Sequence, residues 1–237
     1  MATVKLKHIT PLWVCSDAIR QCHGTQEKAD TPEHNGYESE WVETGPKDKA
    51  LIDRVGNKMK HASTLEHIIV QLDIFDISRA LLQEWSRHRI GMSQTVKSSR
   101  YTLGELKSEP LFSGPFCDIT DGMGNPTNHW NELLARASKY VVLTSNETVN
   151  AVIVENLYNL QRLVCQGISN DLLKYAMPDA YKTSLTTTIN FRSLQNLLAL
   201  RSAPSALWEF RELAQAIFEA IPEDYKFLLE DCIYKES

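Results

Sequence analysis

His67-Ile68-Ile69-Val70-Gln71-Leu72-Asp73-Ile74-Phe75-Asp76-Ile77-Ser78-Arg79-Ala80-Leu81-Leu82-Gln83-Glu84-Trp85-Ser86-Arg87-His88-Arg89 is the stretch on which the architecture turns. In its first half Ile68, Val70, Leu72 and Ile74 recur at every second position. That period puts side chains on one face of a β-strand. From Asp76 onward the period lengthens. Ile77, Leu81, Leu82 and Trp85 form the apolar face of a helix that Asp76 or Ser78 caps and that runs through Arg89.

Upstream, Val4, Leu6 and His8 alternate with Lys5 and Lys7, a half-buried strand, and residues 14–22 read as a short helix. Residues 24–49 are polar, with Pro32, Gly36, Gly45 and Pro46, and read as a long loop. Leu51, Ile52 and Val55 give residues 47–60 a helical face, and Ser63-Thr64-Leu65-Glu66 matches a capping box. Downstream, residues 103–130 are rich in Gly and Pro and read as a turn-rich connection, and residues 130–143 as a helix. A longer helix runs from Glu147 to Gln166, with Val149, Val152, Ile153, Leu157, Leu160 and Val164 at helical spacing and Gly167 as its stop. Ser169 or Asn170 caps a short helix that ends before Pro178. Leu185–Ile189 is a Thr-rich strand, residues 191–201 and 205–220 are helical, and residues 223–233 form a last short helix after Pro222. Strands and helices mix without regular βα alternation, and no GxGxxG or Walker pattern occurs. The expectation is therefore an α+β fold, one mixed helix/sheet domain over residues 1–237 with less regular loops at 24–49 and 103–130.

Composition narrows the function. A chain of 237 residues with 43% hydrophobic residues supports a sizeable core. Its net charge of −5 counts against general nucleic-acid binding, so local basic clusters point to small ligands. No apolar run approaches membrane-spanning length and residues 1–7 lack a signal-peptide core, so no membrane partner is expected and the expected compartment is the cytoplasm. Five cysteines, an odd number without any CxxC pair, predict reduced thiols, no metal and no disulfide framework, with Cys165 in the core.

Two clusters carry chemistry. Arg87-His88-Arg89 is followed, after a short loop, by Ser98-Ser99-Arg100-Tyr101, a dense set of donors suited to phosphate. Asn190-Phe191-Arg192-Ser193-Leu194-Gln195-Asn196 continues to Arg201. Leu194, Leu197 and Leu198 supply its core face, and Arg192 and Asn196 are helical neighbours. Arg201 lies about half a turn around from Arg192, which allows the two to serve different ligands or sites in different subunits. Two rivals weigh less. A nonenzymatic nucleotide- or RNA-binding module conflicts with the overall acidity, and a hydrolase using Ser98 and His88 lacks the GxSxG elbow.

At these residues the chain resembles the flavin-dependent thymidylate synthases. The Arg-His-Arg triplet with Ser98 and Arg100-Tyr101 looks like that family's signature. His61-Ala62-Ser63-Thr64-Leu65-Glu66-His67, Leu173-Lys174-Tyr175-Ala176-Met177-Pro178, Asn190 to Arg201 and Trp208-Glu209 are similar to four more of its segments, in order, over residues 47–220. The resemblance implies conversion of dUMP to dTMP, with methylenetetrahydrofolate giving the methylene, reduced FAD the hydride, and NADPH re-reducing the FAD. It implies no protein nucleophile, and a homotetramer with sites built at subunit interfaces. Carried over by residue, it implies FAD contacts at His61, Ser63, Arg87, His88 and Arg89, and at Asn190, Arg192 and Asn196 from another subunit. It implies dUMP contacts at Glu84, Arg87, Ser98, Ser99, Arg100, Lys174 and Arg201, with Arg201 polarising the uracil. The chain departs from the pattern in four places: one extra residue between the triplet and Ser98, near Met92; Glu84 for a Gln; Lys174 for an Arg, which loses the bidentate fork; and Leu207 for a Gln.

Overall fold

The computed structural model describes residues 2–32, 42–99, 103–114 and 127–235. Among them a four-stranded sheet has the order β1-β2-β4-β3, with β1 at Thr3–Ile9, β2 at Ile69–Ser78, β3 at Met92–Val96 and β4 at Lys182–Asn190. The alternation read in residues 67–75 holds: Ile68, Val70, Leu72 and Ile74 are all fully buried. β1 pairs antiparallel with β2 from Thr3↔Phe75 to Ile9↔Val70, with a register shift between Leu6 and His8. In β4 every second residue, Thr183, Leu185, Thr187 and Ile189, is buried.

The chain divides into two compact units. The first comprises residues 1–75, 86–95 and 185–237, the second residues 76–85 and 96–184. In the first, helix α1 (Leu12–His23) packs on α2 (Pro46–Ile52), which runs on into a wider helical turn at Asp53–Lys58. Gly45 precedes α2 and leaves space for Asp30, whose carboxylate accepts the Lys47 and Asp48 amides at 2.9 and 3.0 Å. A Cβ at Gly45 would lie 2.3 Å from that carboxylate. Asp48 is itself buried and ion-paired to the buried Arg20 of α1. Residues 62–67 form a tight 3-10 helix. The capping box expected there does not form: Ser63 is exposed, His61 is the entry residue without a side-chain cap, and the Thr64 hydroxyl donates to the His61 carbonyl at 2.8 Å. In a 3-10 turn the hydrogen bonds close one residue earlier than the box requires.

In the second unit, Ser78 starts helix α3 (Arg79–Trp85), its hydroxyl accepting the Leu81 amide at 2.9 Å. Asp76 does not cap; it sits at φ 62°, in the left-handed region that Asp tolerates better than most side chains. Helix α3 ends at Trp85, four residues short of the expected Arg89. The chain has to enter β3 at Met92, and a helix through Arg89 would leave only Ile90 and Gly91 to reverse it. The segment read as a short loop is this strand. Helix α4 (Asn128–Ala137) is capped by the Thr127 hydroxyl and α5 (Glu147–Cys165) by the Asn146 carboxamide. Gly167, at φ 77°, donates to the Val164 carbonyl beyond the end of α5. Cys165 is exposed rather than core, as are Val149 and Val152. The buried stripe of α5 runs through Asn150, Val154, Leu157, Gln161 and Val164; Val152 lies off it, and Cys165, four residues after Gln161, stands at its edge as the last residue of the helix. Gln161 is fully buried because it accepts the Phe112 amide at 3.0 Å and donates to the Leu106 and Glu109 carbonyls at 3.1 and 2.9 Å, replacing the partners those backbone groups would lack. A short helix α6 (Asn170–Leu173) precedes β4. Back in the first unit, α7 (Phe191–Arg201), α8 (Trp208–Ala220) and α9 (Glu223–Lys226) complete the chain.

Candidate functional site

The first unit assembles most of the residues singled out from the sequence, and Gly91 is where it does so. Gly91 has φ 67°, and its carbonyl accepts the Asn190 amide at 2.9 Å. A Cβ here would stand 2.3 Å from both Nδ2 of Asn190 and Oγ of Ser193. Asn190 is also the cap of α7, its Oδ1 accepting the Ser193 amide at 2.9 Å. The turn after Arg89 is thus pressed directly against the first turn of α7, and the triplet stands beside that helix.

Between them lies a concavity of about 720 Å³, within the usual range for small-molecule sites. Arg87, His88 and Arg89 line it from the turn, and Arg192, Asn196 and Arg201 from α7. Ile90, Met92, Ser193 and Leu200 complete the wall. None of these lining residues is acidic. Four guanidinium groups with an apolar flank of Ile90, Met92 and Leu200 favour a ligand that is anionic at one end and flat and apolar at the other.

Arg201, the last residue of α7, donates from Nε to Nε2 of His88 at 2.9 Å. Arginine does not give up its proton, so Nε2 of His88 is the acceptor in this contact. The guanidinium carbon lies over the Phe210 ring, 4.9 Å from its centre. Arg192 and Arg201 project about half a turn apart on the helix yet line one concavity, because the long Arg201 side chain reaches to His88. Arg192 is ion-paired with Glu66 at 2.5 Å, which ties α7 to the 62–67 turn. His61 and Ser63 are exposed on or beside that turn but are not among the residues lining the concavity.

The remaining candidates belong to the second unit. Glu84 is half-buried on α3, Ser98 is exposed and Ser99 buried just after β3, and Lys174 is exposed on the turn after α6. Arg100 lies outside the described residues. Among the described residues, no cysteine lines the concavity. Cys15 is buried, which pushes its thiol up to about 12 and keeps it protonated.

Sequence reasoning passed over Ile90, Leu200, Glu66 and Phe210. Ile90 and Leu200 are 87% and 55% exposed. Leu200 does carry a signal: it stands eight residues after Arg192, on the same helical face. Glu66 is marked by its place in the His61–His67 segment, though its pairing with Arg192 is not; nothing local marks Phe210, whose partners are distant in the chain.

The profile described as thymidylate synthase complementing protein matches residues 6–224. The chain is 48% identical over 227 residues to the flavin-dependent thymidylate synthase of Campylobacter jejuni strain RM1221, covering 96% of this chain and 95% of that protein. It is 46% identical over 235 residues to the protein of the same description from Wolinella succinogenes, covering 99% and 100%. A crystal structure of thymidylate synthase X from Helicobacter pylori with FAD and dUMP superposes with a TM-score of 0.82 at 44% identity, covering 99% of this chain and all of that one.

Proposed function

This chain belongs to the thymidylate synthase complementing protein family and is an enzyme, a flavin-dependent thymidylate synthase, and from that premise we propose that it converts dUMP to dTMP with methylenetetrahydrofolate as one-carbon donor, reduced FAD as hydride donor and NADPH as the reductant of the FAD. The observation that supports this most is the concavity lined by four arginines, one of them (Arg192) paired with Glu66, with no acidic residue among its described lining and with an apolar flank. A flavin dinucleotide needs that combination: cations and donors for its phosphates, and flat apolar cover for its rings. Arg87, His88, Arg89, Asn190, Arg192 and Asn196 would hold FAD, joined by His61 and Ser63. Bound FAD supplies the hydride chemistry.

The chain's own residues bind, orient and polarise. Ser98, Ser99 and Arg100 are assigned to the dUMP phosphate, a dianion suited to hydroxyl and guanidinium donors. Lys174 adds a point charge in place of a fork. Arg87 and Glu84 are assigned to the nucleotide as well; Glu84 has to sit away from the phosphate or be protonated, because a charged carboxylate there repels it. Arg201 faces the uracil and stabilises the negative charge that develops on the ring as C5 attacks the methylene, an effect of the oxyanion-hole type.

Two further parts of the proposal concern the whole protein. It acts as one domain in a homotetramer, which the exposure of Ile90, Leu172 and Tyr175, at 87%, 64% and 91%, supports. Its compartment is the cytoplasm, where the exposed thiols of Cys22 and Cys165 stay reduced. Tritium release from dUMP labelled at C5, measured with methylenetetrahydrofolate and NADPH, tests the activity. Purified protein should be yellow and should release tritium only when all three are present. Release without folate, or a protein that takes up no flavin, would overturn the assignment.

A further inference from the structure

We propose that Phe210 is a positioning residue for Arg201, holding its guanidinium through the face of the aromatic ring rather than merely filling space beneath it. The inference rests on the role assigned to Arg201 above.

Arg201 ends a helix, and its side chain has four rotatable bonds. An unrestrained guanidinium there would spread over many rotamers, and charge stabilisation needs it in one place. Among the contacts between described residues, two bear on its position. Nε is tied to Nε2 of His88 at 2.9 Å, and the guanidinium carbon sits 4.9 Å from the centre of the Phe210 ring, within reach of its negative face. The third side of the triangle is closed too: the His88 and Phe210 rings pack T-shaped, 6.0 Å apart at 74°. The ring therefore contacts both the hydrogen-bond donor and the acceptor.

Phe210 can serve as a fixed platform because it is anchored from below. It is fully buried on the first turn of α8, in line with Leu213, Ala214 and Ile217, which are also fully buried. Helices α7 and α8 pack on one another, so the core sets the distance between the end of α7 and the ring. Arginine suits such a platform: its flat, weakly hydrated face accepts an aromatic neighbour while its N–H groups point outward in the plane. A leucine in this place would bury similar area but offer no negative face.

Volume and quadrupole have to be separated to test this. Phenylalanine carrying one, two or three fluorines, placed at position 210, weakens the ring's attraction for a cation with almost no change in shape. Turnover of dUMP by the FAD-loaded protein should fall with each added fluorine, reaching about tenfold at three. Flavin content and melting temperature should stay level, and the loss should fall on kcat more than on KM. Affinity for dUMP alone, measured by calorimetry on the same proteins, gives a second reading that does not need turnover; it should weaken in the same order. Phe210→Trp should keep the activity of a strong π face that Phe210→Leu loses. A series that is flat in both turnover and dUMP affinity overturns the proposal. Arg201→Lys with normal Phe210 distinguishes the two levels. If that variant is slow while the fluorine series is flat, only the role of Phe210 is wrong; if it turns over at the parental rate, the role of Arg201 fails and this inference fails with it.

Discussion

Gly91 and Arg201 concentrate the consequences that single residues have for the site. Gly91 adopts φ 67° with Asn190 and Ser193 where a side chain would go. Gly91→Ala meets left-handed strain of about 1–2 kcal/mol and displaces the Asn190 cap, worth about 1 kcal/mol more. Denaturant unfolding should show a loss of about 2 kcal/mol or more, with flavin absorbance falling alongside it. An alanine variant as stable and as yellow as the parent would mean the turn relaxes freely and does not set the site. Arg201→Lys keeps the charge but cannot preserve the Nε contact to His88. Tritium release should drop at least about tenfold, roughly 1.4 kcal/mol of transition-state stabilisation. FAD content should survive, because the flavin is assigned to other residues, and so should NADPH oxidation, which needs no activated uracil. Loss of flavin in this variant would make Arg201 a structural residue.

Among the elements, the junction of α1 and α2 makes the clearest energetic statement. Burial alone would raise the Asp48 carboxyl, but hydrogen bonds from Thr31 and Arg20, and the Arg20 charge, overcome it and leave Asp48 below the ordinary carboxylate range. A carboxylate whose folded pKa is depressed contributes stability that is present above its unfolded pKa and is lost as pH falls through the folded one. The parent should therefore lose melting temperature on acidification below about pH 4. In Asp48→Asn this part of the acid sensitivity should vanish. The same change leaves Arg20 buried without its counter-ion, so at neutral pH the variant should be less stable by about 3–5 kcal/mol. Thermal melts of both proteins across acidic pH decide it: parallel curves would show that Asp48 titrates no differently folded and unfolded.

For the molecule as a whole, assembly is the property to measure. Ile90, Leu172, Tyr175 and Leu200 are large apolar side chains left more than half exposed by the isolated chain, and the proposed tetramer would give them a surface to pack against. Sedimentation at micromolar concentration should return four times the 26.9 kDa chain mass. A fully active monomer would contradict the tetramer.

Local periodicity carried much of this protein without help. The two-residue alternation of Ile68, Val70, Leu72 and Ile74 settles β2, Ser78 is one of the two caps the sequence offers for α3, and the stop at Gly167 settles the end of α5, because each depends on neighbours within one or two turns. The Arg87-His88-Arg89 and Asn190–Arg201 clusters were equally legible, since several linked motifs in order are specific where one is not. What tertiary structure decided is everything that required distant partners. The end of α3 at Trp85 answers to β3, which forms because β4 is there to pair with it. Val152 and Cys165 look like core residues by helical pattern, yet Val152 falls off the stripe that α5 buries and Cys165 is left exposed at the last residue of the helix. Arg201 meets His88 across 113 residues of chain and lies over Phe210, so its place in the site follows from how α7 and α8 pack and not from any spacing. Hydrophobic burial is a property of the assembled unit, and a residue's own neighbours in sequence cannot say which of its faces will be covered.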